Sequence, residues 1–240
     1  MTWDFPEIKL GLELEVLDFG STKIDFPNSK WRRTFDGSLS IGGREYVSEP
    51  IIGEDVPYQV ESICEAFNKS NCQVNHTCGF HVHSDFTNAS CDSMVRLYKV
   101  CKSLYPVVYR MFSARTENEY CRPFNRNSDS VLYQTDVDSL MANINTRYHW
   151  VNFHSYSKHK TIENRIHPGT IDANEILTWS EMWAKLCLSV QRGKLSTIQN
   201  YEASPDFQEE VIEKIELTEK SKNRLLNGCV LYKQSLQSLV

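Results

Sequence analysis

Hydrophobic and polar residues alternate strictly over residues 9–16, where Leu10, Leu12, Leu14 and Val16 take every second place and Glu13 and Glu15 fall between them. A period of two belongs to a β-strand with one face buried. Both glutamates therefore emerge on one side, roughly 7 Å apart at about 3.3 Å of rise per residue. The pattern returns over residues 78–86, with Phe80, Val82 and Phe86 facing one way and His81, His83 and Asp85 the other. It returns again over residues 161–167, where Ile162 and Ile166 flank Glu163 and Arg165. Residues 44–51 form a β-prone run closing on Glu49 and Pro50, and residues 31–35 lead into Asp36-Gly37, a hairpin signal. Residues 147–156 are aromatic and β-prone as well. These runs predict one antiparallel sheet, apolar where it packs on helices and ionisable on its other face.

Between and after the strands the spacing turns helical. Asp55 is placed to cap a helix with Pro57 in its first turn, burying Val60, Ile63, Cys64 and Phe67. A second helix, over residues 90–112, carries Met94, Leu97, Cys101, Leu104, Val108 and Met111, with Pro106 as an expected kink. From Asp172 onward the chain reads as helix, through Ile176, Leu177, Trp179, Trp183, Leu186 and Val190, with further segments from Asp206 and from about Asn223. The fold class is thus α+β, a core over residues 1–180 with a helical extension, residues 181–240, packed on it. Residues 113–130 hold Arg115, Arg122 and Arg126 with few aliphatics, a polar stretch long enough to be a functional loop. Together with residues 20–30 it is expected to wall a pocket.

Composition narrows the function. A net charge of −5 over 240 residues argues against a general nucleic-acid or membrane-surface binder, which carries a basic excess. No apolar run approaches the 18 or so residues of a membrane span, and the first residues have neither the basic end nor the apolar core of a secretion signal. Eight cysteines without a CxxC pair fit reduced thiols in the cytoplasm. Cys78 points away from His81 and His83 on the same strand, which disfavours a closed zinc site.

The ionisable face carries the chemistry. Glu13, Glu15, Glu49 and Glu163 repel one another unless cations lie between them, and two Mg²⁺ or Mn²⁺ ions bring that charge near zero. Such hard cations take oxygen ligands and are commonly shared with substrate phosphates. His83, Arg165 and the loop arginines are of the types that hold a transferring phosphoryl group. Carboxylates for metal beside arginines for phosphate describe a metal–nucleotide site, where catalysis is mostly positioning and charge stabilisation.

Several motifs occur in a fixed order: Gly11-x-Glu13-x-Glu15, Asp36-Gly37-Ser38-Leu39, Glu45-x-Val47-Ser48-x-Pro50, Cys78-Gly79-x-His81-Val82-His83, Arg115 with Tyr120-Cys121-x-Pro123, Arg147-Tyr148-x-x-Val151-Asn152, and Thr161-x-Glu163-x-Arg165 with Gly169-Thr170-x-Asp172. The set resembles the amidoligase family of glutamine-synthetase-like carboxylate–amine ligases, found in bacteria and their phages, over roughly residues 8–180. The resemblance implies a glutamine-synthetase-like catalytic half-barrel and ATP-dependent amide formation through an acyl phosphate. It implies His81, Glu163, Glu13 and Glu15 as metal ligands, with either Glu49 or Glu45 among them, since Glu45 is the residue that falls in the family's ExVSxP element. His83 would contact phosphate and Arg165 would stabilise the transferring phosphoryl group. Arg115 and Arg122 would contact the nucleotide or the acyl phosphate. Ser48, Tyr148 and Asn152 would line the substrate pocket, the last two alternatively supporting the floor.

The cofactors so implied are ATP and Mg²⁺ or Mn²⁺. The partners are a small-molecule or peptide carboxylate and an amine, with neither nucleic acid nor membrane, in the cytoplasm. Two other readings fit the same residues: a phosphotransferase acting on a guanidino or amino group, and a non-catalytic nucleotide-binding module.

Overall fold

The computed structural model describes residues 3–19, 24, 30–115, 117–124, 126–144, 146–196 and 204–238. Most of the expected wall at residues 20–30 lies outside them. Six strands form one open antiparallel sheet in the order β2-β3-β1-β4-β6-β5. They are β1 (Leu10–Leu17), β2 (Trp31–Thr34), β3 (Gly43–Ser48), β4 (Gly79–Asp85), β5 (Val151–Asn152) and β6 (Thr161–Pro168). The period-two stripe of β1 places Leu10, Leu12, Leu14 and Val16 in the core, where Phe80 and Val82 of β4 join them. Each strand's polar face then points the other way, because successive side chains alternate across a sheet.

The helices are α1 (Asp55–Lys69), α2 (Cys91–Met111), α3 (Val137–Asn143), α4 (Ser155–His159), α5 (Ala173–Gln191), α6 (Pro205–Lys214) and α7 (Glu219–Gln237). Helix α5 packs on β4 and against α1 and α2, so the apolar sheet face and these helices share one core. Helices α6 and α7 pack on α2, and α7 also on α5. Residue 180 falls inside α5, which therefore runs from the core into the helical extension. Gly228 lets α7 approach closely, because a Cβ there would stand 2.7 Å from Val107 Cγ1. The side chains of Ser90 and Asp172 cap α2 and α5 by accepting backbone N–H groups.

Three local expectations change. Asp55 does not cap α1. It lies in the first turn and pairs with Lys30 at 2.6 Å, while Glu54 occupies the cap position without a side-chain bond. The β-prone run over residues 147–156 yields only the two residues of β5, because Tyr148 O and Trp150 N are taken by the N–H and C=O of Arg122. In β6 the pairing with β4 slips between Phe80–His167 and Val82–Asn164. This bulge leaves Glu163 and Arg165 on the floor but turns His167 into the core, against Phe80, Phe112 and Trp179.

Candidate active site on the polar sheet face

Three rows of facing residues cross the floor. At one end Glu15 of β1 stands opposite Glu45 of β3. Next to that row Glu13 stands opposite His81. In the third row Gly11, His83, Glu163 and Asn152 face one another in turn across β1, β4, β6 and β5. Strand register thus gathers side chains that the sequence separates by up to about 150 positions.

The contacts are close. His81 Nδ1 lies 3.0 Å from Glu13 Oε2 and 3.4 Å from Glu163 Oε1, and its Nε2 lies 4.0 Å from Glu15 Oε1. His83 Nε2 lies 3.2 Å from Glu13 Oε1 and 3.8 Å from Glu163 Oε1. Arg165 Nη1 donates to Glu163 Oε1 at 2.8 Å, and its Nε donates to Tyr120 O at 3.1 Å. Arg115 is buried, and its guanidinium donates to Cys78 O and Arg165 O at 3.4 and 3.3 Å. Gly79 makes the approach possible: its N–H donates to Glu15 Oε2, and a Cβ there would stand 2.9 Å from His81 Nε2 and 3.0 Å from Arg115 Nη2.

Glu13, Glu45 and His81 each offer one ligand atom within 4.8 Å of the others, and so do Glu13, His83 and Glu163, and Glu15, Asp36 and Glu45. Glu13 belongs to two of these groups and Glu45 to two, as carboxylates shared between adjacent cations do. Burial, then the charges of Glu13 and Glu15, push the Glu45 carboxyl up to about 7. Burial alone would also raise Glu13, but its contacts with His81 and His83 outweigh that and hold it well below the usual carboxylate range. For His83 burial works downward, and the charges of Glu163 and Glu13 overcome it, so its proton is held more tightly than in water.

His83 Nε2 is buried and makes no aligned hydrogen bond among the described residues. The Glu45 carboxyl, pushed toward neutrality by burial and by the carboxylates around it, stands where a cation would relieve that repulsion. Oxygen-rich donors with one or two imidazoles fit Mg²⁺ or Mn²⁺.

The other residues singled out in the sequence lie as follows. Glu49 stands outside the cluster, exposed beyond the end of β3, and Glu45 occupies the place between Glu15 and Asp36. The cause is a slip of one residue in the β1–β3 pairing, between Glu13–Val47 and the bridge Leu10–Ile51. Ser48 faces the core side, where its Oγ accepts the Leu12 N–H at 2.9 Å. Arg122 is exposed and pairs with Glu119 at 3.3 Å. Tyr148 lies at the rim, its ring 5.6 Å from that of Tyr120, whose carbonyl holds Arg165. Asn152 is buried and donates to Glu163 Oε2 at 2.6 Å. Asp36, a turn and motif residue in the sequence, joins the cluster as well. The register Thr34–Glu45 carries the hairpin on so that Asp36 arrives beside Glu45, a signal that pairing β2 with β3 on paper would have given.

A family model described as "putative amidoligase enzyme" matches residues 15–187. The chain belongs to this amidoligase family. The matched span holds Glu15, Asp36, Glu45, His81, His83, Arg115, Glu163 and Arg165, and starts two residues after Glu13. Membership makes the protein a ligase-type enzyme. No curated protein matches the chain. Among the described residues no helix is long and apolar enough to cross a membrane.

Proposed function

We propose that the polar sheet face is the active site of an ATP- and Mg²⁺- or Mn²⁺-dependent carboxylate–amine ligase acting on an amino acid, peptide or related small molecule. The observation that supports it best is the set of interleaved carboxylate–histidine groups sharing Glu13 and Glu45, with Arg165 and Arg115 beside them. In the reaction a substrate carboxylate oxygen attacks the γ-phosphorus and ADP leaves. The amine nitrogen then attacks the acyl carbon, phosphate leaves, and the amine gives up a proton.

Glu13, Glu15, Asp36, Glu45, His81, His83 and Glu163 would hold the cations. When bound, these supply the charge that neutralises the polyphosphate and its departing oxygen. Arg165 donates from Nη1 to Glu163 and from Nε to Tyr120 O, and is thereby fixed at the floor to meet a transferring phosphoryl group. Arg115, bonded to the Cys78 and Arg165 carbonyls, brings a second buried positive charge behind Gly79. The buried floor limits water, which protects an acyl phosphate from hydrolysis.

The test is release of ADP and phosphate that requires a divalent cation, a carboxylate and an amine together. Glu163→Ala is expected to lower turnover by about 10²–10³-fold or more, with the circular dichroism spectrum unchanged. Retained turnover in that variant refutes the assignment. A stable phosphorylated acceptor, in place of an amide and free phosphate, identifies a phosphotransferase.

A further inference from the structure

We propose that Thr161 and Asn152 are positioning residues that fix how His83 and Glu163 face a divalent cation, an inference that rests on the cation part of the function proposed above. Thr161 Oγ1 lies 2.9 Å from His83 Nδ1. That contact commits the outer ring nitrogen and leaves Nε2 as the one directed at Glu13 and Glu163. Asn152 acts in the same way on the neighbouring carboxylate. Its Nδ2 donates to Glu163 Oε2 at 2.6 Å, leaving Oε1 as the oxygen near Arg165, His81 and His83. The amide must present its nitrogen here, because its oxygen would repel a carboxylate. Asn152 Oδ1 is buried without a hydrogen-bond partner among the described residues, so the amide is placed by Glu163 and by the backbone that carries it.

That backbone is itself tied. Ser155, the first residue of α4, sets its hydroxyl 3.0 Å from Asn152 O and 2.5 Å from Thr161 O. Lys160 ends α4 with φ of 57°, in the left-handed region, and lets β6 begin at once with Thr161. Strand β5, the short helix and the start of β6 therefore form one clasp around the outer side of His83 and Glu163.

A threonine hydroxyl both donates and accepts, so it can bond Nδ1 in either ring tautomer. Histidines that ligate metals ordinarily hold the second nitrogen in such a bond, and loss of the partner typically costs 10–100-fold in affinity, as an order of magnitude. Valine keeps the branched shape of threonine and removes both roles.

The experiment titrates Mn²⁺ into the full chain without nucleotide and follows the electron paramagnetic resonance signal of the free ion. Thr161→Val is expected to weaken Mn²⁺ binding by about 10–100-fold, while Thr161→Ser restores most of the affinity. Asn152→Ala is expected to weaken binding in the same direction. Circular dichroism establishes that each variant is folded, and if Thr161→Val is not, Asn152→Ala carries the test. Folded Thr161→Val and Asn152→Ala that bind Mn²⁺ like the parent overturn the inference and leave the cation reading standing. A parent chain that binds no Mn²⁺ overturns the cation reading and this inference with it.

Discussion

Glu181 in the helical layer and Glu45 on the sheet floor are both carboxylates withdrawn from water, and their surroundings are opposite. Glu181 is fully buried, and its polar partners among the described residues are all donors. Lys185 Nζ lies 2.9 Å from it, Thr218 contributes its N–H at 3.1 Å and its hydroxyl at 2.8 Å, and Ser221 Oγ lies at 2.5 Å. The charge is answered from within the chain, and in return Glu181 fastens the N-terminus of α7 to α5. Glu45 receives one hydroxyl, from Thr34 at 3.2 Å, and faces Glu13, Glu15 and Asp36, whose charges outweigh the favourable influence of His81. The first centre is a completed network, which adds rigidity. The second is an unbalanced one, which costs stability. The difference separates an acid whose charge the chain answers from one whose charge it leaves set against other acids.

Substitution at the two sites should therefore move stability in opposite directions. Glu181→Ala leaves Lys185 and the α7 hydroxyls without their shared acceptor, and breaking a buried pair of this kind costs about 3–5 kcal/mol. Urea unfolding of the metal-free protein is expected to show that loss, and a loss below about 1 kcal/mol would mean that α7 is held by its apolar face alone. Glu45→Gln removes a charge from a repelling set. At pH 8, where a carboxyl raised to about 7 is ionised, the metal-free variant is expected to be more stable than the parent by about 1–3 kcal/mol. Saturating Mn²⁺ should reverse that order, because it stabilises the parent by mass action and the variant less. A destabilised Glu45→Gln in the absence of metal would place Glu45 in the same class as Glu181.

What could be read from the chain before folding follows the same division. The strands carrying Glu13, His81, His83, Glu163 and Arg165 announce themselves because each alternates against an apolar stripe, and burial of that stripe fixes the register. Shifts of one residue are invisible to such a pattern. The slip at residues 48–51 puts Glu49 outside and leaves Glu45 as the ligand candidate. The bulge in β6 sends His167 into the core although it shares the parity of Glu163 and Arg165. Asp36 was hidden for another reason: Asp-Gly reads as turn chemistry, and its Oδ1 does accept the Ser38 N–H at 2.7 Å. Only the pairing of β2 with β3 gives it a second role. Arg122, a loop arginine between aromatic residues that looks like a phosphate contact, is held by backbone pairing with residues 148 and 150 and stands exposed beside Glu119, an arrangement the pattern does not show.

The smallest expected effect concerns a third acid, which lies between those extremes. Glu175 at the start of α5 meets Arg224 of α7 at 2.5 Å and His167 at 3.7 Å. The nearby His167 ring and then the hydrogen bonds from Arg224 lower its carboxyl from 4.5 to about 2. A carboxyl depressed on folding contributes stability that is present above its unfolded value and is lost as the pH falls through the folded one. The window is therefore from about 4.5 down to about 2. His167, held below the ordinary imidazole range by burial, adds a separate loss that starts near 6.5 as its ring is forced to charge. Because Glu175 is partly exposed, solvent screens the pair, and Arg224→Met is expected to cost only about 0.5–1 kcal/mol at pH 7. In thermal melts taken from pH 5 to pH 3 the variant should lose stability less steeply than the parent, and the two curves should approach each other toward pH 2. Parallel curves across that range would show that His167 alone holds Glu175 ionised, and that α7 is joined to the core through Glu181 and the close contact at Gly228.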